Sequence, residues 1–141
     1  MIHFIPSIGS TTAALDAEHT RLDVIAQNIA NANTTRGLDG RPYQRQQVVF
    51  EAALQRAQAA SGETTSQPQV SRITKDARPG PAIFKPGHPD ADANGMVQLP
   101  NVNIYEEMAD MIVASRTYEA NLAVFKNGRA LANQALSIGK H

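Results

Sequence analysis

One stretch near the carboxy terminus decides the fold: residues 103–138 read NIYEEMADMIVASRTYEANLAVFKNGRALANQALSI. Its apolar positions recur at alternating steps of four and three, the heptad pattern of a helix that packs against another helix. The pattern predicts one helix of about 35 residues, roughly 50 Å long. Asn103 and Glu106 are spaced as in a capping box and mark its start. The predicted stripe comprises Ile104, Met108, Met111, Ser115, Tyr118, Leu122, Phe125, Arg129, Ala132 and Leu136.

A second heptad pattern lies at the other end of the chain, over residues 8–33. No proline interrupts these residues, and Thr34, Thr35 and Gly37 predict the end of the helix. Two helices with such stripes bury them against each other. The predicted fold class is therefore mainly α, with the long terminal helices paired as a coiled-coil-like unit. The repeating apolar positions of this helix are Ile8, Leu15, Leu22, Ile25, Ile29 and Ala32.

The residues between the helices have no helical pattern, and residues 37–100 hold seven of the eight prolines. Proline removes a backbone donor and breaks helices, so this part is predicted to be a small irregular, β-containing segment. The local patterns predict strands at residues 43–51, 70–78 and 96–99, a short helix at 52–60 and a flexible loop at 61–69.

These patterns divide the chain into residues 1–36, residues 37–100 and residues 101–141. The first and last parts form the helix pair, and the middle part projects from it. Periodicity alone leaves a second arrangement open, in which two amphipathic helices pack on a small β-containing core.

The terminal helices carry more apolar surface than one partner helix can cover. Opposite its heptad stripe, the end of the last helix is again apolar, and the end of the first helix resembles it at Val24, Ala26 and Ala30. A helix that is apolar nearly all round is a buried helix. We therefore expect assembly with other chains, with the chain ends innermost. The second apolar face of the last helix comprises Ala123, Val124, Ala130, Leu131, Ala135 and Ile138.

Two asparagines lie in the middle of these helices among apolar neighbours, Asn28 and Asn121. A buried amide must find a hydrogen-bond partner, so each is a candidate for fixing the register between helices. The residues predicted to carry subunit packing are Leu15, Leu22, Ile25, Asn28, Ile29, Met108, Met111, Tyr118, Asn121, Leu122, Phe125, Leu131 and Leu136.

Composition excludes several classes of protein. The formal net charge is zero at pH 7, which removes the electrostatic case for binding nucleic acid. The chain has no cysteine, so disulfides, thiol nucleophiles and cysteine-based zinc sites are excluded. The sequence shows no apolar run of about 18 residues and no basic, apolar secretory signal at its start, so we expect neither a membrane span nor a cleaved signal peptide.

Only one motif suggests ligand chemistry. Asp90, Asp92 and Asn94, followed by Gly95, match the opening of an EF-hand calcium loop. The match fails at position twelve, where Asn101 replaces the bidentate glutamate. Aspartate and asparagine before glycine are also typical of a tight turn, which is the alternative interpretation.

The histidines form no catalytic pattern. His3, His19, His88 and His141 are far apart in sequence, and only His88 lies close to carboxylates. No nucleophile or carboxylate pair accompanies it in a catalytic order. We therefore predict no catalytic residue, no metal and no cofactor.

Four segments together resemble a known family. Residues 21–37, RLDVIAQNIANANTTRG, resemble the amino-terminal signature of the bacterial flagellar axial proteins, which form the rod and hook. Residues 86–95, 100–108 and 107–121 are similar to segments of rod members of this family.

The resemblance implies a structural subunit of the proximal rod of the flagellar basal body. Such subunits are exported by the flagellar type III apparatus without cleavage and assemble into a helical tube, which transmits torque and conducts export cargo. The implied partners are other rod proteins, copies of the chain itself, the export apparatus and a base adaptor protein, together with contact with the cell wall.

The resemblance has two small departures and leaves two other functions as alternatives. Phe84 and Met96 stand where tyrosine is expected. The first alternative is a soluble calcium-binding or adaptor module that uses the loop of Asp90, Asp92 and Asn94, and a more distant one is an enzyme acting on peptidoglycan. Because isolated helices of this kind lose their packing partners, we expect the dilute monomer to show much less helix than the roughly 60 residues predicted.

Overall fold

The computed structural model describes residues 5–56 and 64–138, and the side chains of residues 9–51 and 69–138. Two long helices enclose four strands in the sequence, and the strands form two separate antiparallel pairs. The elements are α1 (Ile5–Ala30), β1 (Gln46–Arg56), β2 (Thr64–Lys75), β3 (Ala82–Phe84), β4 (Met96–Gln98) and α2 (Ile104–Ile138).

The two helices pack against each other, as predicted. Asn28 near the end of α1 bonds to Glu107 near the start of α2, so the helices run antiparallel. α1 begins at Ile5 and ends at Ala30, about one turn earlier at each end than predicted. α2 has 35 residues against 26 in α1, and at 1.5 Å per residue it is longer by about 13 Å. Part of α2 therefore extends past its partner.

The face of α2 that turns inward is displaced from the predicted stripe. The predicted positions seven apart hold, and Ser115 and Leu122 between them are half-buried, whereas at the predicted positions Met108 and Arg129 the preceding residue is the less exposed one. Met108 and Arg129 are exposed, whereas Glu107 and Ala114 are fully buried. The small, fully buried side chain of Ala114 lets helix backbones approach closely. The inward stripe is Ile104, Glu107, Met111, Ala114, Tyr118, Asn121, Phe125, Gly128 and Ala132.

β1 and β2 form a long antiparallel hairpin, in register from Gln46↔Lys75 to Arg56↔Thr64 with one irregularity after Val49. α1 packs against both strands as well as against α2. The fold therefore has the predicted helix pair, and it also has a feature of the second arrangement left open by the sequence, since a helix packs on strands.

The sequence prediction was wrong over part of this hairpin. Residues 52–56 continue β1 where a short helix was predicted, and residues 64–69 belong to β2 where a loop was predicted. The remainder of both predictions, residues 57–63, lies outside the described residues. The predicted strands at 43–51 and 70–78 are present, although the first begins at Gln46 and the second ends at Lys75. Pairing between the strands overrides local propensity here.

The second strand pair is short and tightly packed. β4 confirms the predicted strand at 96–99, and its partner β3 was not predicted. Val97 of β4 is completely buried. Gly80, just before β3, lies so close to the backbone of Leu99 that a Cβ atom would stand 2.1 Å from the Leu99 carbonyl oxygen. Only glycine fits at that crossing.

Candidate functional site

Five residues form a buried polar cluster where α1, the start of β1 and α2 meet, and we call it the polar junction. Asn28 is its centre and is only 1% exposed. Its Nδ2 donates to the Gln46 carbonyl and to Glu107 Oε2, each at 2.9 Å. Its Oδ1 accepts from the Gln46 amide and the Tyr43 hydroxyl, each also at 2.9 Å. The junction comprises Asn28, Tyr43, Arg45, Gln46 and Glu107.

The bonding capacity of Asn28 is fully used, because both amide hydrogens and the carbonyl oxygen have partners. The amide bonds to both backbone groups of Gln46, as a neighbouring strand would. α1 thereby holds the first residue of β1 through a side chain. The hydrogen-bond partner predicted for Asn28 is thus confirmed, and a role of Asn28 in helix register remains a prediction.

Glu107 is a charged residue with no exposed surface. Besides the bond from Asn28, its Oε1 accepts a hydrogen bond from Arg45 Nε at 2.5 Å. Arg45 Nη2 also lies 3.4 Å from Asp110 Oδ2. A buried carboxylate is tolerated only when it is paired and hydrogen-bonded, and both conditions are met here. Loss of Arg45 would leave an uncompensated charge inside the protein, and loss of Asn28 would leave Glu107 Oε2 without its hydrogen-bond donor.

Tyr43 completes the junction on the side of the strand. Burial raises the pKa of its hydroxyl, and the negative charge of Glu107 raises it further. Both effects keep the hydroxyl protonated, so that it remains the donor that Asn28 Oδ1 requires.

Asn101 extends this bonding to the chain that precedes α2. Its Oδ1 accepts from the Arg45 amide at 2.7 Å, and its Nδ2 donates to the carbonyl oxygens of Asp76 and Arg78 at 3.0 and 2.9 Å. Three distant segments therefore meet at one amide. Hydrogen bonds from Arg78 lower the pKa of Asp76 to about 2, with a further contribution from the positive charge of Arg78.

The loop with the calcium-like motif is a tight turn. Asp92 Oδ1 accepts from the amides of Asn94 and Met96 at 2.8 and 2.9 Å, so backbone donors occupy this oxygen. Gly95 has a φ of 77°, which favours glycine. In the described part of the chain, no three His, Cys, Asp or Glu side chains are grouped to hold a metal ion. The turn interpretation accounts for the motif.

Asp90 joins this loop to the segment that follows α1. Its Oδ2 accepts from Thr35 Oγ1 at 2.8 Å, and its Oδ1 lies 3.6 Å from Arg36 Nη1. The amide of Asp90 donates to His88 Nδ1 at 3.1 Å. The histidine thus contributes to loop structure.

The structure separates the predicted packing residues into three groups. Ile25 and Asn28 are buried. Met108, Leu131 and Leu136 are between 50% and 68% exposed in the single chain. The half-buried members are Leu15, Leu22, Ile29, Met111, Tyr118, Asn121, Leu122 and Phe125. Their role in subunit packing remains a prediction.

The second apolar face of α2 is exposed along its whole length, as expected, and we call it the distal apolar face. Val124, Leu131 and Ile138 are 59%, 55% and 75% exposed. The corresponding expectation for α1 is half right, because Ala26 and Ala30 are exposed while Val24 is buried. The distal apolar face comprises Ala123, Val124, Ala130, Leu131, Ala135 and Ile138. Within residues 5–56 and 64–138, no helix is long and apolar enough to cross a membrane.

Sequence reasoning missed the partners in the polar junction. Tyr43 and Arg45 lie in a segment predicted only as a strand, and Glu107 is not among the residues predicted to carry packing. One signal was available: Glu107 lies three residues after Ile104 and four before Met111, on the inward stripe. A carboxylate at such a position requires a buried cation or donor.

Comparisons with known proteins match both ends of the chain. The model of the family described as "Flagella basal body rod protein" matches residues 11–36, and that described as "Flagellar basal body rod FlgEFG protein C-terminal" matches residues 93–138.

Similar proteins named flagellar basal-body rod protein FlgC occur in several bacteria. The protein from Yersinia enterocolitica is 41% identical over 128 residues, covering 91% of this chain and 92% of its own. That from Borreliella burgdorferi is 38% identical, with coverage of 94% and 95%. That from Bacillus subtilis is 35% identical, with coverage of 95% and 97%.

Proposed function

This chain belongs to the FlgC family of flagellar basal-body rod proteins, and on that premise we propose how it builds the rod of which it is a structural subunit. The subunits polymerise through their terminal helices. Residues 1–36 and 101–141 form the inner helical layer of a tube, and residues 37–100 make outer contacts. The tube lies in the proximal rod, transmits torque and houses the export channel.

The distal apolar face is the observation that carries this proposal. Six apolar residues of α2 lie exposed on one side, and α2 extends past α1. Isolated apolar residues on a surface need no explanation, but a continuous apolar helix face is typical of an interaction site. Neighbouring helices in a close-packed tube would cover it.

The partners follow from the same proposal. They are other rod proteins and further copies of this chain, with the export apparatus and the base adaptor protein at the proximal end. The chain is exported without a cleaved signal peptide to the periplasm-spanning rod, its middle segment reaches the cell wall, and it has no enzymatic role.

A charge placed on the distal apolar face tests the proposal. Leu131→Glu should leave the monomer intact, because the side chain is already 55% exposed. In the assembled rod it would bury an unpaired carboxylate, which costs several kcal/mol. We expect cells producing only this variant to be non-motile and to lack completed rods in electron micrographs of isolated basal bodies.

Arg116→Glu is the matched control, since it places the same carboxylate on an exposed position of α2 two turns before the distal apolar face. This variant should assemble normally. Hydrogen exchange of the wild-type monomer adds an independent readout: residues 123–138 should exchange much faster than residues 107–114. Normal rods with Leu131→Glu would overturn the proposal.

A further inference from the structure

α1 carries an exposed stripe on the side away from its buried face. Asp16, His19, Asp23 and Ala26 follow one another at steps of three, four and three, so they share one side of the helix. All four are exposed, and the carboxylate of Asp23 lies 3.3 Å from His19 Nδ1. We call these four residues the acidic stripe.

The second half of α2 has the opposite charge. Lys126 and Arg129 are the only charged residues between positions 122 and 138, and they are three positions apart, on one side of the helix. Both are exposed. Among the ion pairs of the described residues, neither side chain takes part in one. We call Lys126 and Arg129 the basic end.

The acidic stripe and the basic end carry opposite charges, and the directions of the two helices allow these surfaces to meet. α1 and α2 are antiparallel within one subunit. When two subunits stand side by side with the same polarity, α2 of one is antiparallel to α1 of the other. An antiparallel α1–α2 pairing can therefore be repeated between subunits without reversing either chain.

We propose that the acidic stripe of one copy receives the basic end of α2 from a second copy of this chain. The inference rests on the proposed function, because it assumes subunits of one polarity. Ala26 gives a small surface for close approach, and Leu136, 68% exposed, adds apolar area beside the basic end. The contact joins two different surfaces of the same chain, so it continues from copy to copy instead of closing into a dimer.

Charge reversal tests this contact. Lys126→Glu with Arg129→Glu would place four carboxylates together, and Asp16→Lys with Asp23→Lys would place four cations together. Like charges brought together at an interface suppress binding strongly. Each double variant should therefore lose at least about tenfold in the number of copies incorporated into isolated basal bodies.

The variant that combines all four substitutions is the decisive one. Its surfaces again match each other, and incorporation should return to within about twofold of the wild type, a difference of only about 0.4 kcal/mol. If the true partner were a different rod protein, the losses of incorporation caused by the two double variants would add up in the combined variant. Failure of this rescue, or normal incorporation of both double variants, would overturn the inference.

Chemical cross-linking provides a readout that does not depend on folding of a variant. A carbodiimide activates a carboxylate, which then forms an amide with a lysine amine while the activating group departs as a urea. In basal bodies built from a mixture of light and ¹⁵N-labelled copies, Lys126 should join Asp16 or Asp23 of the other isotope. Linkage of Lys126 only to other proteins would overturn the choice of partner.

Arg116→Glu with Glu119→Lys is the control pair, since both residues are exposed on α2 outside the two proposed surfaces. The results also separate this inference from the proposed function. If Leu131→Glu blocks assembly while the charge reversals have no effect, the rod function stands and only the contact proposed here is wrong.

Discussion

Replacement of Asn28 by alanine should weaken the fold more than any other single change on α1 outside its apolar core. The substitution removes four hydrogen bonds at once and leaves both backbone groups of Gln46 and one oxygen of Glu107 short of a partner. Each buried group left without a partner costs about 1–3 kcal/mol. We expect a loss of about 3–5 kcal/mol in the free energy of unfolding, a large share of the roughly 5–15 kcal/mol typical of a domain.

The isosteric change Asn28→Asp keeps the size of the side chain and alters only its hydrogen-bonding groups and its charge. It keeps acceptors for Tyr43 and the Gln46 amide, but it sets an anionic oxygen 2.9 Å from Glu107 Oε2. At an effective dielectric constant of about 20, that repulsion amounts to about 6 kcal/mol. Asn28→Asp should therefore be at least as harmful as Asn28→Ala at neutral pH. It should recover in part in acid, because protonation of the introduced aspartate removes the repulsion.

Urea denaturation of the purified chain, followed by far-ultraviolet circular dichroism, measures these losses. Gln27→Ala is the matched control, because Gln27 is the exposed neighbour of Asn28 on the same helix. It should change the free energy of unfolding by less than about 0.5 kcal/mol. If Asn28→Ala falls within about 1 kcal/mol of this control, the reasoning about the polar junction is refuted.

Three further predictions concern the middle segment. Gly80→Ala should cost several kcal/mol in thermal unfolding, because its Cβ would lie 2.1 Å from a backbone oxygen, whereas Gly87→Ala, with open space around it, should cost almost nothing. Asp92→Ala should destabilise the chain by about 1–2 kcal/mol, and millimolar calcium should leave the melting temperature of the wild type unchanged; a calcium-dependent rise would restore the calcium alternative. Because the pKa of Asp76 is lowered in the folded protein, its carboxylate stabilises the fold at pH values above its unfolded pKa of about 4, and this stabilisation is lost as the pH falls through about 2. Arg78→Ala should therefore bring the pKa of Asp76, measured by NMR titration, back towards about 4.

The helices could be predicted from sequence because the residue spacing that defines a helix face is local in the chain. Steps of three and four residues define a helix face whatever the rest of the chain does, and both helices are present. The choice of inward positions was less certain, since size alone favoured Met108 over Glu107. Only the fold shows that Arg45 neutralises that carboxylate and that Asn28 donates a hydrogen bond to it.

The hairpin could not be predicted in full because its strands are stabilised by pairing between residues that are distant in sequence. Residues 52–56 are rich in alanine and favour a helix on propensity, yet in β1 Ala52 pairs with Pro68 of β2. Proline is accepted in a two-stranded sheet, where each strand is an edge. The polar junction was predictable only in part: a mid-helix asparagine signals a need for partners, but not which distant residues meet that need.

The polar junction also sets the moment at which the chain can close. The bond between Asn28 and Glu107 spans 79 positions of sequence. In a chain that emerges amino terminus first, from a ribosome or through a narrow passage, the Asn28 amide lacks the second of its two acceptors until Glu107 follows. Long-range closure of this kind is slow to form, because the entropy of the intervening loop is lost before the contact stabilises it. The large sequence separation thus keeps the polar junction unformed, and the early part of the chain unfolded around it, until residue 107 has emerged.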